Sequence, residues 1–168
     1  MMKRKDFEIM APVGSRESFA AALRAGADSI YFGIENLNMR SHSASAFTIN
    51  DLKEIAHQCR ICGVKSYLTV NTIIYGEDLP LMRKILDAAR EANISAVIAS
   101  DVAVMSYCNK IGQEVHLSTQ LNISNIQGVF SFLLLKINIR NSAAAVFNSQ
   151  EYLFNGFYRT DAFLLYLS

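Results

Sequence analysis

Hydrogen-bonding and charged side chains stand at the ends of several short apolar runs in this chain. Asn71 follows one run, Asp101 follows the next, and His116, Ser118 and Gln120 alternate at the end of a third. Such groups can bind a substrate carboxylate or hydroxyl, and a carboxylate or imidazole can also move a proton. The residue types alone define no reaction, so catalytic residues stay unassigned and the elements that position these side chains must be considered.

Five apolar runs, each followed by a polar loop and an amphipathic stretch, provide those elements. They span residues 7–13, 29–33, 64–70, 96–100 and 114–118. This repetition predicts parallel strands joined by crossover helices, because parallel neighbours cannot be connected by a tight turn. We predict an α/β fold: a partial TIM-type (β/α) barrel of about five parallel strands with crossover helices and an irregular C-terminal segment. The site would lie at the carboxyl ends of the strands.

Helix start and stop signals separate the runs. Ser15 is predicted to cap the first helix and Asn50 the second, whereas Gly63 and Gly112 are predicted to end helices. Asp101 has two interpretations. It is either a substrate-binding or proton-accepting carboxylate at a strand end, or the N-cap of the helix that begins at residue 102.

The remaining candidates also have structural alternatives. His116, Ser118 and Gln120 are predicted to face one side of the sheet, as a substrate-binding wall or as a buried hydrogen-bonded network. Asn71 is either a substrate donor and acceptor or a turn-stabilising side chain. Arg40, in a long polar loop over residues 34–48, is either a bidentate ligand for phosphate or carboxylate or a solvated charge.

The three cysteines limit metal chemistry. Cys59 and Cys62 have the two-residue spacing of metal sites, but a strong signal needs a second pair and Cys108 stands alone, so no metal site is predicted. No signal peptide precedes residue 7, and we expect reduced thiols in a cytoplasmic protein. The apolar run over residues 129–135 is shorter than the roughly 20 residues that span a bilayer, so no membrane partner is expected.

The chain divides at Gln127 in composition. Residues 128–168 hold 9 of the 17 Phe and Tyr residues but only two acidic residues. We therefore predict an N-terminal part of a βα barrel over residues 1–127 and an atypical apolar and aromatic tail over residues 128–168. A truncated product or a shifted reading frame would each produce such a tail. The formal net charge of +1 neither favours nor excludes a nucleic-acid partner.

An ordered set of motifs runs through the first 127 residues. The motifs are the segments 11–15, 26–33, 64–72, 98–101 and 116–122, together with Arg40 and Phe47. In these motifs the chain resembles the N-terminal part of the collagenase-like peptidase family of unassigned catalytic type. No single motif is specific, but their order over some 120 residues is.

The resemblance implies a βα barrel and two kinds of activity. One is a collagenase-like peptidase. The other is oxygen-independent hydroxylation of a tRNA uridine or an rRNA cytidine, with an iron–sulfur cluster in full-length relatives and prephenate implicated as the hydroxyl source. The family's cluster cysteines lie beyond this chain's last residue, and its Arg-Glu-Leu motif is missing after Gln127, so no cofactor is expected here. We favour tRNA hydroxylation for intact relatives. The alternatives are a peptidase and a non-catalytic module that binds RNA or a small carboxylate.

Overall fold

The computed structural model describes residues 8–37, 47–123, 125, 127 and 128. In this part of the chain, strands and helices alternate. The strands are β1 (Met10–Pro12), β2 (Ser29–Gly33), β3 (Lys65–Val70), β4 (Ala96–Ala99) and β5 (Val115–Leu117). The helices are α1 (Arg16–Arg24), α2 (Ile49–Cys62), α3 (Leu79–Glu91) and α4 (Val102–Ile111). Short 3-10 turns over Gly76–Asp78 and Thr119–Leu121 precede α3 and follow β5.

The five strands form one parallel sheet in the order β1-β2-β3-β4-β5. Each strand therefore pairs with the strand before it in the chain, and a helix connects each consecutive pair. This winding is the one used in TIM-type barrels. The predicted α/β fold with five parallel strands and crossover helices is confirmed.

Local sequence signals explain most helix ends. The Ser15 side chain accepts a hydrogen bond from the backbone N–H of Ser18, as predicted for an N-cap. Gly63 and Gly112 end α2 and α4 in the left-handed conformation, with φ of 68° and 72°. At these positions glycine avoids the strain that a Cβ would cause.

The predicted cap of α2 is wrong by two residues. Thr48, not Asn50, is the N-cap, and its hydroxyl accepts a hydrogen bond from the backbone N–H of Asp51 at 3.3 Å. The Asp51 carboxylate in turn accepts from the Thr48 backbone N–H at 2.9 Å. This reciprocal pair satisfies two donors that a cap at Asn50 would leave open, so the helix begins at Ile49, two residues earlier than predicted.

The apolar core lies between the outer face of the sheet and the helices. Alternate residues along each strand, such as Phe32, Leu68 and Val97, are almost fully buried there against helix residues such as Ile85 and Leu86. The intervening strand residues face the other side, which would be the interior of a barrel. That inner face holds polar side chains, and the candidate site is built on it.

Several predictions fall outside the described residues. Arg40 and the segment 129–168 belong to this group, so the role of Arg40 and the division at Gln127 remain predictions. Among the described residues, no helix has both the length and the apolar character required to cross a lipid bilayer.

Candidate functional site on the inner face and carboxyl rim of the sheet

Strand register places the candidate residues at two levels of the inner face. His116 pairs with Ile98, and Ile98 pairs with Thr69, so these three residues lie at one level. Asn71 follows Thr69 by two residues and Ser118 follows His116 by two, which puts both one level higher, at the carboxyl rim. The sequence predicted one rim for all of them. The structure places His116 below that rim, in the body of the sheet.

Asp101 joins two elements at the rim. One carboxylate oxygen accepts a hydrogen bond from the backbone N–H of Ala103 at 2.7 Å, which caps α4. The other accepts from the backbone N–H of Ile74, in the loop after β3, at 3.2 Å. The N-cap interpretation is therefore confirmed. A substrate-binding role for Asp101 remains a prediction.

The predicted alternation of His116, Ser118 and Gln120 along one strand end is wrong at Gln120. Strand β5 ends at Leu117, and Ser118 caps the following 3-10 turn by accepting from the backbone N–H of Gln120 at 3.3 Å. The turn rotates Gln120 away from the strand direction and leaves its side chain exposed. Two-residue alternation holds only while the backbone stays extended, and here it stops at Ser118.

A cluster of paired polar groups lies in the amino-terminal half of the inner face. It centres on Glu8, which is buried just before β1. The Tyr67 hydroxyl donates a hydrogen bond to one carboxylate oxygen of Glu8 at 2.8 Å, and the Lys65 ammonium pairs with the other at 2.6 Å. We call Glu8, Lys65, Tyr67, Glu114 and His116 the inner polar cluster. It joins residues that are more than a hundred positions apart in the chain.

The electrostatics keep the Glu8–Tyr67 pair in one protonation state. Burial alone would raise the pKa of Glu8, but hydrogen bonds from Lys65 and Tyr67 and the charge of Lys65 outweigh it, so its pKa lies below the usual value. Burial, together with the charges of Glu8 and Glu114, raises the pKa of Tyr67. Near neutral pH, Glu8 is thus a carboxylate and Tyr67 remains a hydroxyl donor. Neither group is poised to exchange a proton.

His116 extends the cluster across the sheet. Its Nε2 lies 3.2 Å from a carboxylate oxygen of Glu114, two residues earlier on the same face. Its ring packs against Tyr67, with the ring centroids 4.9 Å apart. His116 therefore belongs to a buried hydrogen-bonded network, which was one of the two alternatives that the sequence left open. No hydrogen bond joins His116 to Ser118 within the described residues.

Sequence reasoning missed Glu8 and Tyr67. A signal for Glu8 was present, because it is an acid inside an otherwise apolar run, and an acid is rarely buried unless it is paired. The signal for Tyr67 was weaker, because aromatic residues are common in strands. Their pairing spans 59 positions and depends on β1 and β3 lying on either side of β2, which no local pattern specifies.

The cysteines do not fit an iron–sulfur cluster. Cys59 and Cys108 are buried in the core, and burial raises the pKa of the first to about 11 and of the second to about 12. Cluster ligands are thiolates, usually four of them, and the chain has three cysteines. Within the described residues, no group of three or more His, Cys, Asp or Glu side chains is placed to hold a metal ion.

Fold and site together define a class of protein. It is a parallel α/β architecture, wound in the order that TIM-type barrels use, in which the amino-terminal half of the inner face is occupied by paired groups. The hydrogen-bonding side chains Asn71 and Ser118 lie at the carboxyl rim, the end where proteins of this architecture bind and transform their substrates. Residues 14–139 match the family described as Peptidase family U32, and the chain belongs to that family.

Relatives of this chain carry names of two kinds. It is 67% identical over 128 residues to the "Collagenase" of Porphyromonas gingivalis, covering 76% of this chain and 31% of the relative. It is 32% identical over 124 residues to the "tRNA hydroxylation protein P1" of Bacillus subtilis, covering 73% of this chain and 29% of the relative. The chain thus spans less than a third of the length of these two relatives.

Solved structures support the fold. The U32 peptidase Mk0906 superimposes with a TM-score of 0.62 at 12% identity, over 80% of this chain and 57% of that one. The Bacillus subtilis HMG-CoA lyase superimposes with a TM-score of 0.52 at 14% identity, over 77% of this chain and 51% of that one. At such identities, the likeness concerns the fold alone.

Proposed function

We propose that this chain supplies the first five strands of a βα barrel that hydroxylates tRNA at a uridine, without molecular oxygen, as part of a U32 protein. Its own contribution is substrate binding at the carboxyl rim, through Asn71 and Ser118. A small carboxylate such as prephenate, as the source of the hydroxyl group, belongs to the same proposal. Support comes from the relatives named as tRNA hydroxylation proteins in Bacillus subtilis and Helicobacter pylori.

The observation that favours hydroxylation over proteolysis is the arrangement around Ser118. A serine nucleophile needs an adjacent base within hydrogen-bonding reach. The nearby His116 is instead bound to Glu114 one level below, and the Ser118 hydroxyl accepts from the backbone of Gln120. The described residues therefore offer hydrogen-bonding groups for a substrate but no paired nucleophile and base. The cysteines do not fit a cluster, so no step through one is assigned to this chain.

A chimera tests the proposal. Residues 14–123 of this chain would replace the matching segment of the Bacillus subtilis tRNA hydroxylation protein P1, in a strain lacking that activity. We expect hydroxyuridine in its tRNA, measured by mass spectrometry of nucleosides. Asn71→Ala should lower the yield, whereas Asn109→Ala, on the exposed far turn of α4, should not. A stable, well-expressed chimera that leaves the tRNA unmodified would contradict the proposal.

A peptidase is the second candidate, and the 67% identity to a protein named "Collagenase" favours it. The full chain can be incubated with gelatin and with native collagen under the same conditions. Cleavage that disappears in a Ser118→Ala variant would support the peptidase and argue against RNA hydroxylation. Intact substrate after incubation with folded protein would leave hydroxylation as the better-supported proposal.

A further inference from the structure

Three large apolar side chains are exposed together at the carboxyl rim. Ile73, Tyr75 and Val102 retain 68%, 61% and 53% of their accessible surface, and we call them the rim ledge. Among the described residues, two other large apolar side chains are similarly exposed, Ile9 and Ile61. Those two lie at the opposite end, before β1 and in the last turn of α2. Exposed apolar groups gathered at the functional end of a fold indicate a binding surface.

The backbone beneath the rim ledge is held on both sides. The backbone N–H of Ile74 donates to Asp101 at 3.2 Å, and that of Tyr75 donates to Asp78 at 3.0 Å. The Ile74 side chain packs against the core, and its neighbours on either side point outward. Asp101 also caps α4, which begins at Val102, so one carboxylate sets both parts of the ledge. These bonds therefore fix the backbone from which the ledge side chains project.

A groove adjoins the rim ledge and carries positive charge. It encloses about 460 Å³ between α3 and α4 and begins at Leu79 and Ala103, at the rim end of both helices. Further along, it is lined by Arg83 and Lys110. Within the described residues neither side chain has a carboxylate partner.

Aromatic and acidic groups complete this surface. The Arg83 guanidinium lies 5.9 Å from the centroid of the Tyr107 ring, and the Tyr107 hydroxyl donates to Asp87 at 3.0 Å. Glu77, also exposed, lies in the chain between Tyr75 of the ledge and Leu79 of the groove. The two cations with no carboxylate partner face into the groove, whereas Asp87 is already engaged. A ligand that combines flat apolar faces with regularly spaced anions fits this pattern better than a neutral one.

We propose that the rim ledge stacks on an unpaired base of single-stranded RNA, while Arg83 and Lys110 contact its phosphates. This inference rests on the proposed function and extends it to a binding surface for the nucleotides that flank the modified base. An enzyme that modifies a base acts on a single strand or takes the base out of its stack, and exposed aromatic and apolar side chains can replace the lost stacking. The ledge lies at the rim where a reacting base would enter.

The base-stacking half is tested with the full chain and a fluorescein-labelled oligouridine, by anisotropy. Removal of a stacking side chain weakens binding about 5-fold to 150-fold, and we expect that loss for Tyr75→Ala. Tyr75→Phe keeps the ring and should bind like the parent chain. Ile61→Ala, a matched exposed residue at the other end, should also leave binding unchanged. Circular dichroism checks that every variant is folded.

The phosphate half is tested through the salt dependence of the same binding. Each phosphate contact on a single strand contributes about 0.7 to the slope of log affinity against log salt. The double variant Arg83→Gln with Lys110→Gln should lower the slope by about 1.4. Two exposed cations on α1 and α2 that do not line the groove serve as the control, and Arg24→Gln with Arg60→Gln should not change the slope.

Several results would overturn the inference. They are a parent chain that does not bind oligouridine, equal affinity of Tyr75→Ala and the parent, Tyr75-dependent binding of gelatin in place of RNA, or a Tyr75→Ala effect confined to dissociation of a dimer in gel filtration. The chimera assay separates this inference from the proposed function. If the chimera forms hydroxyuridine but RNA binding does not depend on the rim ledge, only the inference about the ledge is refuted. If binding depends on the ledge but no hydroxyuridine forms, only the proposed hydroxylation is refuted.

Discussion

The amino-terminal half of the inner face and the carboxyl rim differ in how their side chains are satisfied. In the inner polar cluster, Glu8 is buried and both of its carboxylate oxygens have partners on β3. At the rim, backbone groups are tied by Asp101 and Asp78, but the apolar side chains of Ile73 and Tyr75 stay exposed. The inner polar cluster buries a charged carboxylate, whereas the carboxyl rim exposes apolar side chains.

The two regions therefore differ in how their side chains affect the stability of the folded chain. A buried carboxylate is tolerated only when it is paired, so removing a partner from the inner polar cluster is costly, and its engaged groups leave little for chemistry. Exposed apolar groups gain nothing in the isolated chain and are free to gain on contact with a ligand. The split matches βα barrels in general, where the amino-terminal end serves stability and the carboxyl end serves function.

Glu8→Ala should give the largest effect, because it removes the centre of the inner polar cluster. The Tyr67 hydroxyl would remain buried without an acceptor, and we expect a loss of about 1–3 kcal/mol in the free energy of unfolding. The ion pair adds little to this, since the Lys65 side chain is 56% exposed and solvent screens it. Urea unfolding measures the loss.

Glu54→Ala is the control for this substitution. Glu54 also pairs with a cation, Arg16, but its side chain is 55% exposed. Its removal should change the free energy of unfolding by about 0.5 kcal/mol or less. Equal losses for the two variants would break the contrast between buried and exposed charge.

Asp101→Ala should come next. The substitution removes an N-cap, which costs about 0.5–2 kcal/mol, and it also releases the backbone of Ile74. We expect lower stability and faster hydrogen exchange of the Ile74 amide. Ser15→Ala removes a comparable cap from α1 and should destabilise similarly without any change at Ile74. Equal exchange rates of the Ile74 amide in the two variants would show that Asp101 does not hold the loop after β3.

Acid should weaken the inner polar cluster by a smaller amount. The folded-state pKa of Glu8 lies below its ordinary value of 4.5. Its contribution to stability is therefore full above about pH 4.5 and is lost as the pH falls through the lower, folded-state value. The free energy of unfolding, followed from pH 7 to pH 3, should fall less for Glu8→Gln than for the parent chain. Parallel curves would show that Glu8 is not stabilised as a carboxylate.

Tyr75→Ala should have the smallest effect on stability. Its side chain is 61% exposed, so we expect a change of about 0.5 kcal/mol or less in the free energy of unfolding. The same holds for Ile73→Ser. A loss comparable to that of Glu8→Ala, measured in the same urea titration, would mean that the rim ledge is part of the folded core rather than a surface held ready for a ligand.

Local chemistry made much of the fold predictable. The β2 run was predicted with the bounds that the structure gives, because both of its ends carry turn signals. Ser15, Gly63 and Gly112 act at helix ends for reasons that one or two neighbouring residues determine. The parallel order of the strands followed from repetition alone. The prediction of Asn50 as the N-cap of α2 was wrong because Thr48 and Asp51 pair reciprocally, and that pairing outweighs a single favourable cap residue.

The site was less predictable because its contacts are distant in sequence. Asp101 was recognised as a possible cap, but its second hydrogen bond reaches back 27 residues to Ile74. Glu8 and Tyr67 meet only when the sheet is assembled. Gln120 was misplaced because a turn begins at Ser118 and ends at Asn122 in the left-handed conformation, which the strand pattern does not announce.

The order of the strands has a consequence for how the chain is made. Each strand pairs with the strand synthesised just before it. A growing polypeptide can therefore add one strand and its connecting helix at a time, while later residues are still in the ribosome. Each newly emerged strand finds its neighbour already present. Glu8 must wait for its tyrosine partner, which lies two strands later in the chain. The hydrogen bond between Glu8, next to β1, and Tyr67 on β3 can therefore form only after β3 has been translated.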